Sequence, residues 1–456
     1  MTTLNSSSTS KGIHAKKNAS SNGLSATSLP VILFVIAIVV VLSAVFHKLP
    51  WPWSIVYSDI VGFYQVAIQP GIFYINKPVE YPVITGLFIQ FAGIVGKTPL
   101  GYYLVSSLLI LVSALGSTYL LYRMAPDKST IYRYWVLAPS MLIFAVYNWD
   151  LFAILFVTLA AFFLVAKHKN YLVSALLSLG LSIKLYPAMY LLPLIGKTKT
   201  LSSRVKIVWI FGLMFVVVNL PFAIINFQGW YYFFSFNNQR LPNPDSIWGV
   251  FHYYLPQLNV ITINILSLLI FAFTYFAVLW RYRNKSILKL FFASTLIFLL
   301  CNKVFSPQYM LWILPFFVLT PVNNKGLFYS LEICNLAVLF TILPIVLGSS
   351  HNESLLFSSQ IFVILRHGLL IYLLFCVLRS MREEKLAPVL EDGYLSVLEA
   401  SKIIGVRPGA VKRLCKEGKL PAKMEHNTWL ISSDNVHSFA KEYEESRKQP
   451  PSSQAK

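Results

Sequence analysis

The sequence predicts an all-α polytopic membrane protein of about twelve transmembrane helices, followed by a small soluble helix-turn-helix module. Three observations lead there. Of 456 residues, 56% are hydrophobic and only 12% are charged, half the charged share of an average soluble domain. The mean hydropathy is +0.63, and the apolar residues come in long runs, not in periodic stripes. After Arg382 the hydropathy collapses and amphipathic spacing begins. A soluble globular enzyme, a disordered chain and a disulfide scaffold are excluded. The four cysteines (Cys301, Cys334, Cys376, Cys415) are too far apart for a disulfide framework or a metal-ligand set and read as packing residues. No metal site or cofactor is expected.

Taken in order, residues 1–28 are a Ser/Thr/Asn-rich tail, expected to be disordered. The run from Leu29 to Phe46 is longer than a signal-peptide core and has no small-residue cleavage site after it, so it reads as an anchor. It leads outward into His47 to Tyr81, which holds WPW, Asp59 and Glu80. Residues 82–96 are too short to cross and read as an interfacial or re-entrant helix. The second span is then 99–122. Further spans fall near 133–147, 150–166, 171–184, 186–196, 207–226, 261–281, 287–302, 308–322, 326–347 and 358–379. Several are shorter than the ~20 residues a straight span needs, which fits paired half-helices around a cavity. The outer loop from Phe227 to Asn259 carries WYYFF and WGVFHYY, an aromatic density suited to lipid headgroups or a lipid-linked ligand. The membrane domain is thus 29–380, with a linker at 381–392, the soluble module at 393–443 and a disordered tail at 444–456.

Charge fixes the orientation. The net charge is +20, of which +18 precedes Met381. Its clusters, among them Arg123/Lys128/Arg133, Lys197/Lys199/Arg204/Lys206 and Arg281/Arg283/Lys285/Lys289, mark cytoplasmic loops. A multi-pass protein of the cell membrane with both termini in the cytoplasm follows.

Only seven acids precede Met381. Asp127 and Glu332 read as surface charges near cytoplasmic helix ends, and Glu353 lies in an Asn-Glu-Ser sequon of a short outer loop. Asp59, Glu80, Asp150 and Asp245 remain, all on the outer face. Transfer from a phosphate-linked sugar needs one carboxylate to take the acceptor's hydroxyl proton. It needs no general acid, because cations suffice to stabilise a departing phosphate. Lys184 and Lys303 each sit at the edge of an apolar run, where charge is expensive and usually functional. Arg366 and His367 in the last span are similar, with snorkelling or helix contact as an equal alternative. A bland reading competes throughout. An Asp after a first span is often a solvated loop residue, and Trp149-Asp150 is good helix-start chemistry without catalysis. Composition does not separate an enzyme from a transporter.

Five strings narrow the field: YSDI at Tyr57, EYPVITG at Glu80, YNWDLFAIL at Tyr147, SIKLYPAMYLLPLI at Ser182 and NKVFSPQYMLWILPF at Asn302. Together, and in this order, they resemble the glycosyltransferase 87 family of the GT-C superfamily. Its members use polyprenyl-phosphate sugars, and many are mannosyltransferases. The resemblance spans about residues 29–380 and implies a GT-C-like fold whose first outer loop carries a catalytic Asp, matched here by Asp59 as general base. It implies inverting displacement without nucleotide sugar or obligatory metal, moving a hexose to a lipid, glycan or protein acceptor. Glu80 and Tyr81 match the acidic-Tyr-Pro position, though Val83 departs from the second proline common there. Lys184, Tyr186, Lys303, Gln308 and Tyr309 match positions lining the donor phosphate or sugar site, and Asp150 joins them as a donor- or acceptor-binding residue. For Tyr186 and Tyr309, aromatic-belt anchoring remains the alternative.

In the soluble module, Ser396 with Glu399 forms a capping box. Val397, Ala400, Ile403 and Ile404 give one apolar face, and Gly405 ends the helix. Pro408 opens a second helix through Val411, Leu414 and Cys415 to Gly418. LPAKMEHNTWLI reads as a hairpin and Ser433 onward as a third helix. The run YLSVLEASKIIGVRPGAVKRLCKEGKLPA resembles the excisionase/MerR-like winged helix-turn-helix family. By that resemblance Lys412, Arg413, Lys416 and Lys419 face DNA and Lys423 lies on the wing, with protein contact as the alternative role. The leading expectation is a membrane glycosyltransferase with membrane lipids, a lipid-linked donor and DNA or a protein as partners. A membrane-anchored DNA-binding regulator and a lipid or polysaccharide transporter are the competing readings.

Overall fold

The computed structural model describes residues 27–48, 57–320, 322, 324–347, 352–384, 393–425 and 428–448. The expected N-terminal tail up to residue 26, the WPW segment, most of the linker and the last eight residues lie outside them.

The main helices of the membrane domain are α1 (Leu29–Phe46), α2 (Val83–Gly96), α3 (Pro99–Met124), α4 (Asp150–Val165), α5 (Asn170–Leu181), α6 (Leu201–Ile225), α7 (Phe227–Gln239), α8 (Ile247–Tyr254), α9 (Val260–Tyr282), α10 (Ile287–Cys301), α11 (Lys325–Val346) and α12 (Glu353–Glu383). Six of them, α1, α3, α6, α9, α11 and α12, are long and apolar enough to cross a membrane. Their starts are chemically marked. Thr98 accepts from Gly101 N at 3.0 Å, Thr200 from Ser203 N at 3.2 Å and Asn259 from Thr262 N at 2.9 Å, each satisfying an orphan amide of the first turn.

Small residues set the tight packing. α3 turns Ser106, Ser113, Ala114 and Ser117 inward, and α4 packs along it, because side chains of that size let two backbones approach closely. α4 packs on α5, α5 on α6, and α11 along α12. By contrast α6 and α9 turn their apolar surfaces outward; Trp209 is 69% and Phe273 77% exposed, as lipid-facing helices are.

Several expected spans are broken. The 133–147 segment is a π-helical turn, Tyr132–Val136, followed by Pro139–Phe144. The 186–196 and 308–322 segments each open as a 3₁₀ helix, Tyr186–Tyr190 and Pro307–Ile313, before a short α-helix. Pro139, Pro187, Pro193, Pro307 and Pro315 explain the breaks, since proline removes a helix donor and crowds the preceding turn. The outer loop from Phe227 is mostly helical, as α7 and α8, and α12 runs past the expected span to Glu383. Glu332 is not a surface charge. It lies on α11, fully buried, with Oε2 accepting from Ser140 N at 2.6 Å. Arg366 and His367 do not snorkel; both are buried.

The C-terminal module has β1 (Tyr394–Ser396), α13 (Val397–Ile404), α14 (Pro408–Lys416), β2 (Ala422–Glu425), β3 (Thr428–Ser432) and α15 (Ser433–Lys448). Its antiparallel sheet has the order β1-β3-β2. Ser396 N donates to Glu399 Oε2 at 2.8 Å and Glu399 N to Ser396 Oγ at 3.3 Å, the reciprocal cap that the sequence predicts. Leu395, Ala400, Ile404, Val411, Cys415, Leu420, Ile431 and Val436 form a separate core. α15 continues to Lys448, five residues beyond the expected boundary.

Candidate active site

Asp59 opens a one-turn helix, Asp59–Gly62. Ser58 caps that turn by accepting from Val61 N at 3.2 Å, and Asp59 N donates to Tyr147 O at 3.0 Å. The carboxylate is therefore tied to the tight turn that precedes α4. Tyr57 Oη donates to Asp59 Oδ1 at 2.8 Å, and Asn148 Nδ2 donates to Oδ2.

Asn148 is the hub of the network. Its amide nitrogen also donates to Tyr81 Oη at 3.0 Å. Its Oδ1 accepts from Lys184 Nζ at 3.1 Å and from Trp149 N at 2.6 Å. With donors on the oxygen and a carboxylate at the nitrogen, only one amide orientation satisfies the set. Lys184 Nζ also lies 3.4 Å from Asp150 Oδ1, which accepts from Trp312 Nε1 at 2.8 Å. Asp150 is fully buried and does not line the cavity. It stands behind Lys184 and holds it, one layer back from the residues expected beside it.

The Tyr81 corner is set by Tyr74, which has φ 66°. That left-handed backbone carries strain in a residue with a Cβ. Tyr74 Oη reaches the carbonyls of Tyr81 and Pro82 at 2.8 and 2.9 Å. A Cβ on Gly86 of α2 would stand 2.0 Å from that hydroxyl, so the glycine makes the room.

These groups face a cavity of about 590 Å³ whose lining includes Asp59, Glu80, Tyr81, Lys184, Tyr186, Lys303, Gln308 and Tyr309. All the residues expected at the ligand meet there except Asp150. Trp312 is sandwiched between Tyr186, with ring centroids 4.2 Å apart, and Tyr309, at 4.0 Å. The two tyrosines are thus part of the cavity's interior and not belt anchors. Tyr186 Oη and Gln308 Oε1 are buried without a hydrogen-bond partner among the described residues, as groups awaiting a ligand or water are.

The facing wall comes from the ends of α7 and α10. Lys303 Nζ donates to the carbonyls of Asn238 and Arg240 at 3.1 and 2.7 Å, and Asn243 N donates to Lys303 O at 3.0 Å. Arg366 braces this wall from behind. Its guanidinium donates to Asn335 Oδ1 at 2.8 Å, to the carbonyl of Asp245 and to that of Phe305 at 3.5 Å, and lies 3.9 Å over the Phe305 ring. One buried cation thereby joins the two segments that carry Arg240, Asp245 and Lys303.

Burial pushes the Asp59 carboxyl up, opposed by the hydrogen bond from Tyr57, the charge of Lys184 and the hydrogen bond from Asn148. Burial likewise raises Glu80, against the pull of Arg240, and lifts Asp245 to about 6. Lys303 is lowered to about 8 by burial and by repulsion from Arg240.

Sequence reasoning missed Tyr57, Asn148 and Arg240 as parts of this site. Arg240 was findable: it is the lone cation between Lys206 and Arg281. It lines the cavity, and its planar fork suits a phosphate. Asn148 carries no charge, so nothing in composition distinguishes it. Together the groups offer three carboxylates, Asp59, Glu80 and Asp245, beside the cations Lys184, Arg240 and Lys303 and an aromatic floor.

The profile of glycosyltransferase family 87 matches residues 80–307, half of the chain. No curated protein matches. Among solved structures, the crystal structure of ArnT from Cupriavidus metallidurans bound to undecaprenyl phosphate is similar at a TM-score of 0.41 and 14% identity, over 78% of this chain and 79% of that one. A likeness that loose carries no further weight here.

Proposed function

Since the chain belongs to glycosyltransferase family 87, we propose that this glycosyltransferase moves a hexose, mannose in the first instance, from a polyprenyl-phosphate sugar to a lipid, glycan or protein alcohol. The observation that carries this reading is the single cavity that joins Asp59 to Lys184, Arg240 and Lys303. Asp59 takes the proton of the acceptor hydroxyl. The freed oxygen pair bonds to the anomeric carbon from the face opposite the phosphate, and the carbon–oxygen bond to phosphate breaks with its electrons going to the phosphate. Configuration inverts, and Arg240 and Lys303 receive the added negative charge. Tyr186, Tyr309 and Gln308 seat the sugar, whose hydroxyls would satisfy the two unpartnered oxygens. Glu80 and Tyr81 border the acceptor side. α7, with Phe227, Tyr231 and Tyr232 exposed on its outer face, rests in the membrane interface above the cavity.

In this reading the protein crosses the membrane about twelve times, using the shorter apolar helices and broken pairs, on a GT-C-like plan with both termini cytoplasmic and the cavity outside. The test supplies radiolabelled polyprenyl-phosphate mannose to membranes containing the overexpressed protein, beside a nucleotide sugar. Label passing to an acceptor from the lipid-linked donor alone supports the reading. Transfer from the nucleotide sugar, or none from either, rejects it.

A second reading concerns residues 393–443 as a winged helix-turn-helix of the excisionase/MerR-like kind. It is favoured by the placement of Lys412, Arg413, Lys416, Lys419 and Lys423, all exposed on α14, the turn after it and β2. Two of the five are partly neutralised, since Glu417 lies 3.3 Å from Arg413 and 3.0 Å from Lys419. Salt-sensitive preference of the full-length protein for particular genomic fragments supports DNA contact; equal binding to all fragments, or none, rejects it.

A further inference from the structure

The end of α6 remote from the cavity holds a second feature. Ile195, at the end of the Leu191–Lys197 helix, and one face of α6 enclose a groove of about 700 Å³ lined by Leu201, Val205, Val208, Trp209, Gly212, Leu213 and Val216, with Arg204 at its mouth. Apart from Arg204 the lining is wholly apolar. Gly212 has nothing within 4 Å of where a Cβ would stand, so the groove is open at its middle.

Its charge is one-sided. Between Asp150 and Asp245 the sequence has no acid, while Lys199, Arg204 and Lys206 lie in the segment at the groove's mouth; Lys197 is buried beside them and faces the charge of Glu384 instead. Arg204 lies in the first turn of α6, which has no acidic residue. A cation there opposes the helix dipole, whose N-terminal end favours negative charge. Its Nε donates to Thr198 O at 2.8 Å, which fixes the guanidinium while leaving its terminal nitrogens without a protein partner among the described residues. An apolar channel capped by a fixed, unneutralised guanidinium complements one kind of molecule, an acyl chain with an anionic phosphate at its head.

We infer that this groove is a binding site for an anionic glycerophospholipid of the leaflet opposite the active site. One acyl chain lies along α6 past Gly212 and Trp209, and the phosphate rests on Arg204. The site is independent of the transferase reading, and its failure would leave that reading intact.

The test uses the full-length protein in neutral detergent, titrated with phosphatidylglycerol, phosphatidylcholine, polyprenyl phosphate and soluble glycerol phosphate, and read by native mass spectrometry and thermal melts. Phosphatidylglycerol is expected to bind at least tenfold more tightly than phosphatidylcholine and to raise the melting temperature, with glycerol phosphate ineffective. Arg204→Gln should reduce phosphatidylglycerol to the phosphatidylcholine level. Gly212→Trp, whose Cβ would meet nothing within 4 Å, should occupy the groove and weaken both. Equal binding of the two phospholipids by the unaltered protein overturns the proposal, as does Arg204→Gln that folds and keeps the preference. A full shift with glycerol phosphate alone would indicate an anion site and not a lipid groove. Tighter binding of polyprenyl phosphate at Arg204 would assign the groove to a different lipid; either result overturns it.

Discussion

The cavity and the C-terminal module use the same residue types to opposite ends. In the cavity Lys184 is 8% exposed and is held by Asp150 and Asn148, with Trp312 fixing Asp150 in turn. In the module Arg413 and Lys419 stand in solvent, 76% and 66% exposed, and share Glu417. The distances are alike, from 3.0 to 3.4 Å. Burial makes the difference. A surface ion pair contributes about 0–1 kcal/mol, whereas leaving one partner of a buried pair alone costs about 3–5 kcal/mol. Charge in the cavity is therefore built into the fold, and charge on the module is free to change without disturbing it.

The largest expected effect is on turnover. Asp59→Asn keeps the shape of the side chain but removes the proposed base, so transfer should fall by about 10²–10⁴-fold, the usual worth of general base catalysis, with membrane insertion unchanged in a fractionation assay. Next comes Asp150→Ala, which strands Lys184 in the interior and should destabilise the protein by about 3–5 kcal/mol, seen as a lower melting temperature. Equal, small losses for Asp150→Ala and Glu417→Ala would erase the contrast between the two regions.

A pH profile sharpens the same contrast. In the proposed mechanism Asp59 is ionised when it takes the acceptor's proton, so kcat/KM should fall as acidification protonates it, at a midpoint above the usual carboxylate range because burial raises it. Tyr57→Phe deletes a hydrogen bond that holds this carboxyl down, so the acid limb should move to still higher pH. On the alkaline side Lys303 loses its proton as pH rises through about 8, and KM for the donor should rise there. The smallest effect is expected from Glu417→Gln. It should leave the melting temperature nearly unchanged, as exposed ion pairs add little, and, where the module contacts DNA, strengthen that contact by releasing Arg413 and Lys419.

The sequence was most legible where one physical force dominates. Leu29–Phe46 coincides with the predicted anchor because nothing but hydropathy decides it. α13 begins and ends where Ser396, Glu399 and Gly405 predict. Lys184 and Lys303 stood out because cations beside apolar runs demand a reason, and both line the cavity. Legibility failed where tertiary partners decide. Glu332 near a helix end reads as a surface charge, and only the approach of Ser140 from another segment makes its burial tolerable. Asp150 reads as a ligand residue because sequence shows its position at a helix start but not Lys184 and Trp312 in front of it. Asn148 gains its importance solely from four groups distant or adjacent in the chain that converge on one amide. The broken spans at Pro139, Pro187 and Pro307 were foreshadowed by their shortness, while their exact division into 3₁₀ and α turns depends on packing.

The most direct measurement asks whether base and phosphate site are separate parts of one cavity. Purified Asp59→Asn protein would be mixed with radiolabelled polyprenyl-phosphate mannose, and bound donor and transferred label followed together. The account predicts donor retained with near-normal affinity and almost no transfer, with donor retention lost in Arg240→Ala. Transfer by Asp59→Asn at the unaltered rate would contradict it.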